Sequence, residues 1–374
     1  MTSAAVIPRP VLRLGGASPG GLILPPAAPT PGQMYAPRGV WTDGTRLVVS
    51  DSGNHRVLIW HRWPEEDGAP ADVVIGQPDM TSEGPAAGGA SVERGLYLPT
   101  GVGVVDGDLV VADAWHHRLL VFDGIPTADF AEPARIVGQS SPTEVEPNRG
   151  GDASSTSFYW PFGFGVVAGR FWVADTGNRR VLGWDGTSVP LDGRPADVVL
   201  GQDDAATRLD NRGDGQGPAS FRWPHAVAGD DERFYVADAG DHRVLGWTPA
   251  PASDAPAALV LGQSEFDVND EFKNRDQGPH RMRFPYAVAL EGDLLAVADT
   301  SNNRVLLWRD APRAGAGVPA DEVLGQPDFA SNGENRWDAV HDDSFCWPYG
   351  LSLCDGLLAV ADSGNNRVTV WRVA

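Results

Sequence analysis

Residues 173–184 read VADTGNRRVLGW, and the phrase returns five times: VSDSGNHRVLIW at 49–60, VADAWHHRLLVF at 111–122, VADAGDHRVLGW at 236–247, VADTSNNRVLLW at 297–308 and VADSGNNRVTVW at 360–371. Each copy has an apolar run of strand length, a short polar turn, and a second apolar run closed by an aromatic residue. That is the pattern of a β-hairpin. A unit repeated in this way decides the fold of the whole chain.

Outward from the hairpins, a proline stands 14 residues before each Asp: Pro37 before Asp51, Pro99 before Asp113, Pro161 before Asp175, Pro224 before Asp238, Pro285 before Asp299 and Pro348 before Asp362. A Gly-Gln phrase (VVIGQ, RIVGQ, VVLGQ, LVLGQ, EVLGQ) ends at Gln77, Gln139, Gln202, Gln263 and Gln326, each 22 residues before the next proline. The prolines are therefore 62, 62, 63, 61 and 63 apart, and all variation lies between the closing aromatic and the Gln. That segment is expected to be a solvent-facing loop. The linkers from Gln to Pro are polar and Gly-rich yet constant in length, so they are expected to be ordered. Asn148, Asn211, Asn274 and Asn335 recur in them and are expected to bond their own backbone.

The P-x-G-V phrase supplies a first strand and the Gly-Gln phrase a fourth. Four short strands per repeat make a propeller blade. There are six hairpins but five Gly-Gln strands, and the last hairpin ends at Trp371, three residues before Ala374. Residues 9–16, RPVLRLGG, resemble the missing strand. The expectation is an all-β, six-bladed β-propeller, one domain over residues 1–374, closed by an N-terminal strand that completes the last blade and leaves no free sheet edge.

The V-A-D-x-x-N-x-R-V-x-x-W phrase with P-x-G-V upstream resembles the NHL-repeat β-propeller family, and phrases such as VLGQPDF (residues 323–329) resemble a bacterial subset with long repeats. The resemblance covers residues 9–374. It implies the fold but not one function, because such propellers include protein-binding modules, RNA-binding modules and lyases such as peptidyl-hydroxyglycine lyase.

Composition narrows the choice. Fifty Asp and Glu against 29 Lys and Arg give a net charge of −21, which argues against binding a nucleic-acid backbone. Cys346 and Cys354 flank an inner strand about 26 Å long when extended. They are expected to be free thiols, Cys354 in the core. No apolar run reaches membrane-spanning length, and the first residues lack a signal-peptide pattern, so no membrane insertion and a cytoplasmic location are expected.

The Asp and Arg of each hairpin phrase, such as Asp175 with Arg180, are read as scaffolding because every blade has them. Function is sought where the repeat departs from itself. The turn Asn becomes His116 and Asp241; the next position reads His55, His117, Arg179, His242, Asn303 and Asn366; the residue after the proline reads Arg38, Thr100, Phe162, His225, Tyr286 and Tyr349. The residues after the prolines share strand parity with an aromatic neighbour and are expected to pack between blades. Imidazoles from several blades are zinc-type donors, but no H-x-x-x-H or C-x-x-C spacing occurs, so neither metal nor other cofactor is expected and no residue is assigned a catalytic role. Tyr97, Tyr159, Arg222 and Arg283 end the linkers and are residue types that anchor interfaces. The candidate binding set is these four with His55, His116, His117, His242, His225, Tyr286 and Tyr349. The leading reading is a non-enzymatic binding or scaffold propeller that docks a protein partner on the linker-and-turn face, a role open to an accessory factor of a larger enzyme. The alternative is a metal-dependent lyase or hydrolase centred on the pore.

Overall fold

The computed structural model describes residues 9–16, 28–271 and 277–374. Six sheets are arranged as blades, each running from an inner strand to an outer one. In blade 1 the strands are Gly39–Thr42, Leu47–Asp51, Arg56–Trp60 and Val73–Ile75, all antiparallel neighbours. Blade 6 takes Pro348–Cys354, Leu357–Asp362 and Arg367–Arg372 from the end of the chain, and Pro10–Gly15 from its beginning. This N-terminal strand pairs antiparallel with the last one, Leu12 opposite Val370 and Leu14 opposite Val368. Leu12 and Leu14 are buried, while Arg13 turns outward to Asp67 at 2.9 Å and to Asp342. The ring is closed as the repeat arithmetic requires.

The core lies between blades. Val48, Val57 and Ile59 of blade 1 pack against Leu109, Val111 and Leu120 of blade 2, and equivalent clusters fill the other seams. Burial on both faces is why the strands read as apolar runs rather than alternating ones. The glycine of each Gly-Gln phrase has a defined task. Gly138 has φ +102°, and a Cβ there would lie 2.3 Å from the Phe158 ring. Only glycine takes this turn while the first apolar residue of the next linker presses against it.

Over their described residues the linkers are ordered, and the reason for their constant length is mechanical. At one end the Gln amide donates back to the preceding turn: Gln139 Nε2 reaches the His116 carbonyl at 3.0 Å. At the other end the linker is tied to the following turn. The expected Asn–own-backbone bonds are not what the side chains make. Asn148 exchanges amide hydrogen bonds with Asn178 at 3.0 and 2.8 Å, Asn335 does so with Asn365 at 2.9 Å, and Asn211 donates to Asp241 at 3.3 Å. Asn274 lies outside the described residues. A segment fixed at both ends to consecutive blades has no freedom to change length.

Between the closing aromatic and the Gln the chain varies in length, yet it is held too. Trp60, Trp184 and Trp308 donate their indole N–H to loop carbonyls at Ala69, Arg194 and Val318. In blade 5 this segment forms a two-residue strand, Gly315–Ala316, parallel to the outer strand Leu259–Leu261 of blade 4. Both cysteines are free and half-buried, which corrects the placing of Cys354 in the core. Its neighbourhood is the end of the inner hairpin beside Glu291 and Asp355.

Candidate functional site

Each hairpin turn is built on the repeated Asp and Arg. Asp175 and Arg180 are fully buried and meet at 2.8 Å. The second carboxylate oxygen of Asp175 accepts the Tyr159 N–H at 2.7 Å, and the guanidinium donates to the carbonyls of Ser154, Ser157 and Ala205. The Asp therefore holds the last step of the linker, and the Arg joins the stretch just before it to the beginning of the next linker, at Ala205. Tyr97, Tyr159, Arg222 and Arg283 are gripped in this way through their backbone amides. Their half-buried side chains lie beside the turns.

The imidazoles after the turns have a task of their own. Nδ1 of His55, His117 and His242 accepts the N–H of Leu98, Trp160 and Phe284, each at 3.1 Å. Each donor N–H belongs to the residue before the proline of the next blade. Asn303 and Asn366 do the same with a carbonyl oxygen, to Trp347 and Ala36 at 2.9 Å. The latched residues have left-handed φ of +47° to +55°, a costly conformation for a non-glycine residue and more so before proline. An accepting Nδ1 carries no proton. Burial holds the pKa of His55 down and that of His117 at about 4, against the pull of Asp113. His116 is spent differently, bonded through Nδ1 to Asp113 at 2.8 Å.

One seam lacks the latch. Blade 3 carries Arg179 where the others carry His or Asn. The Trp223 N–H turns instead to Asp238 at 3.0 Å, and Trp223 is not among the left-handed residues. Arg179 is bonded to Asp210 at 2.5 Å and lines a cavity of about 350 Å³ on the axis. Trp115, Trp160, Trp223 and Trp347 also line it.

Beneath lies a collar of one side chain per blade. His225 stacks on Tyr286 at 4.5 Å and 13°, Tyr286 meets Tyr349 at 4.4 Å, and Phe162 meets His225 at 4.7 Å. The Arg38 guanidinium sits 5.2 Å from the Tyr349 ring and 5.7 Å from that of Trp115, and Trp115 stacks on Phe162 at 5.6 Å to close the circle. The residues after the prolines therefore face the axis; packing between blades, expected from strand parity, is corrected. The cause is a register shift. In blades 3 to 6 the pairing skips the residue between Pro161 and Gly163, Pro224 and Ala226, Pro285 and Ala287, and Pro348 and Gly350. A bulged residue leaves the alternation of its strand and is re-aimed. His225 is bonded through Nδ1–H to the Trp223 carbonyl at 2.9 Å, and burial holds its pKa at about 4.

Blade 2 builds the collar by another route. Thr100 is too short to reach its neighbours' rings, and Trp115 of the turn takes its place. The other turns carry Gly or Ser there; at Gly177 a Cβ would lie 2.4 Å from the Tyr159 carbonyl oxygen. At Trp115 the equivalent N–H···O contact, to Tyr97, lengthens to 3.2 Å from the 2.7 Å of Gly177 to Tyr159. The candidate set thus includes the collar's His225, Tyr286 and Tyr349. It omits Arg38, Trp115, Arg179 and the pre-proline indoles, whose signal was their variation within repeat columns.

Among the described residues, one group of three metal-type donors comes together: Glu291, Cys354 and Asp355, at the end of the inner hairpins away from the turns. The Glu291 carboxylate there accepts the amides of Asp355 and Gly356 at 2.6 and 3.0 Å.

Asp241 sets blade 4 apart. It stands where four other turns have Asn, beside Asp238, and bonds Asn211 and Asn269. Burial first, then the Asp238 charge, push its pKa up to about 7, with Arg243 opposing. A carboxyl raised in the folded state costs stability progressively as pH rises from about 4 to 7, and in full above that. Asp241→Asn is therefore expected to stabilise the protein at pH 8 by on the order of 2–4 kcal/mol, the gain shrinking as pH falls toward 4. Denaturant midpoints across that range check it.

The NHL repeat family model matches residues 96–122 and 345–371, the hairpins of blades 2 and 6 with the linker ends before them. The chain thus carries NHL repeats within a six-bladed propeller built on one recurring phrase. No curated protein matches it. Among solved structures it is similar to a structural-genomics protein of unknown function from Bacteroides thetaiotaomicron, at 11% identity and TM-score 0.50, over 98% of this chain and 76% of that one. It is also similar to the WD40 propeller domain of Doa1 (12%, TM-score 0.46, 97% and 96% covered) and to virginiamycin B lyase from Staphylococcus aureus (11%, TM-score 0.46, 92% and 98% covered). These are likenesses of fold. Among the described residues no helix is long and apolar enough to cross a membrane.

Proposed function

We propose that this NHL-type propeller is a non-enzymatic binding scaffold whose linker-and-turn face docks a protein partner. Propellers of this broad kind are common protein-binding scaffolds. The observation that carries the reading is the exposure of large aromatic residues on that face: Trp337 is 79% and Trp347 45% exposed, beside a depression of about 440 Å³ that Arg283 and Phe284 also line. Exposed indoles and arginines on a rigid platform are what protein interfaces use as anchors. The platform is rigid because every linker is clamped to two blades. The pore-centred metalloenzyme reading draws less support: Nδ1 of His55, His117 and His242 accepts a backbone N–H, so each neutral ring keeps its proton on Nε2 and has no lone pair left for a metal, and the group of three metal-type donors found among the described residues contains no histidine.

The test is affinity capture from source lysate with wild type and two variants. Trp337→Ala with Arg222→Ala is expected to lose the partner at unchanged melting temperature, because both side chains lie at the surface. Arg194→Ala with Asp192→Ala, in a variable loop, is expected to retain it. Loss by the second variant and retention by the first would place docking on the other face.

A further inference from the structure

We propose that the axial cavity is a binding site for a small planar aromatic group bearing a carboxylate. This proposal stands without the protein docking argued above, although Trp347 borders both places. The argument rests on volume, walls and charge.

At about 350 Å³ the cavity is at the small end of ligand sites. It is roughly twice an engineered cavity that takes up benzene, so one or two fused rings with a short substituent fill it. Its walls are flat. Four indoles stand around the mouth, and the stacked Phe162, His225, Tyr286 and Tyr349 form the floor. Rings arranged in this way take a planar guest by offset stacking and edge contacts.

Charge chooses among planar guests. The chain carries 50 acidic residues, yet no Asp or Glu lines the cavity, while two arginines do. Arg179 is neutralised by Asp210. Arg38 lies over Trp115 and Tyr349 and has no carboxylate partner among the described residues. An aromatic enclosure alone would suit a quaternary ammonium. A guanidinium in its wall reverses that preference and offers a planar fork matched to a carboxylate.

Three departures from the repeat meet here. Arg38 is the one cation in the collar, Trp115 the one aromatic in the second position of a turn, and Arg179 the one break in the latch. None is needed to build a blade, since five blades do without each. Together they make one electropositive aromatic chamber on an acidic molecule.

Isothermal titration calorimetry tests the proposal with 2-naphthoate, 2-naphthamide and 2-naphthylmethylamine. Naphthoate is expected to bind at least 10-fold more tightly than the amide, and the amine more weakly than either. Arg38→Gln should remove the preference for naphthoate while naphthamide binding persists, which shows that the variant is folded. Trp347→Ala, at a half-exposed position, should weaken both. A second arm uses the peptide Gly-Gly-Trp with a free or amidated C-terminus. Binding of the free-acid peptide assigns the carboxylate to a chain end, and binding of naphthoate alone assigns it to a free aromatic acid. Equal affinity for acid and amide, an unchanged preference in Arg38→Gln, or no binding by any probe would overturn the proposal.

Discussion

A chain lacking residues 1–16 is expected to lose its closed ring and either aggregate or melt about 10 °C lower. The N-terminal strand is the outer strand of blade 6, and its loss leaves the backbone of Arg367–Arg372 without a partner on that side. Leu12 and Leu14 leave the core with it, and each buried leucine contributes roughly 1.5–3 kcal/mol. The cost is higher than for an ordinary terminal strand, because the same pairing joins the two ends of the ring. An open blade 6 also presents a long unpaired edge, the usual template for association between chains. Leu14→Asp separates the two effects, since it keeps the backbone but places a charge in the core. It should lower the melting temperature while leaving less aggregate than the deletion. Size-exclusion chromatography and thermal melts read both. A deleted chain that stays monomeric with unchanged melting temperature would show that the ring does not depend on this strand.

The blades, their number and their closure could be read from the sequence because each rests on local repetition: a proline, an Asp–Arg hairpin and a Gly-Gln strand at constant offsets. The linker contacts were less legible although their signal was present. Asn148 and Asn178, Asn211 and Asp241, and Asn335 and Asn365 are all 30 residues apart, an offset that marks cross-linking between segments rather than local turns. The collar was misread for a physical reason. Alternation assigns a face only while the pleat is regular, and in blades 3 to 6 the bulge after the proline re-aims that one side chain. The axial cavity was hidden for a related reason. Its walls come from three different columns of the repeat, the turn, the pre-proline step and the bulge, and only the closed ring brings them to one point. The latch made by His55, His117 and His242 was not legible because their partners lie 42 or 43 residues on, in the neighbouring blade.

Arg180→Ala is expected to destabilise the protein by about 3–5 kcal/mol, the range for breaking a buried ion pair by removing one member. Two losses are combined in that figure. Asp175 is left buried without its counter-charge, and the carbonyls of Ser154, Ser157 and Ala205 lose a donor. A pH series and a second variant separate them. Burial already raises the pKa of Asp175 against the pull of Arg180, so without the guanidinium it rises further. The carboxyl then carries a proton in the folded state, and the penalty grows as pH rises above about 4. Adding Asp175→Asn removes the charge and should flatten that dependence, because an amide does not titrate. It should not restore wild-type stability, because the three carbonyls, two on this linker and one on the next, remain without their donor. A double variant as stable as wild type would mean that the arginine serves only to neutralise the aspartate. Incomplete recovery, read from denaturant midpoints at pH 5 and pH 8, would identify it as the tie that holds each linker to its turn. That tie fixes the linker-and-turn surface, the face proposed to dock a partner, to the blades beneath it.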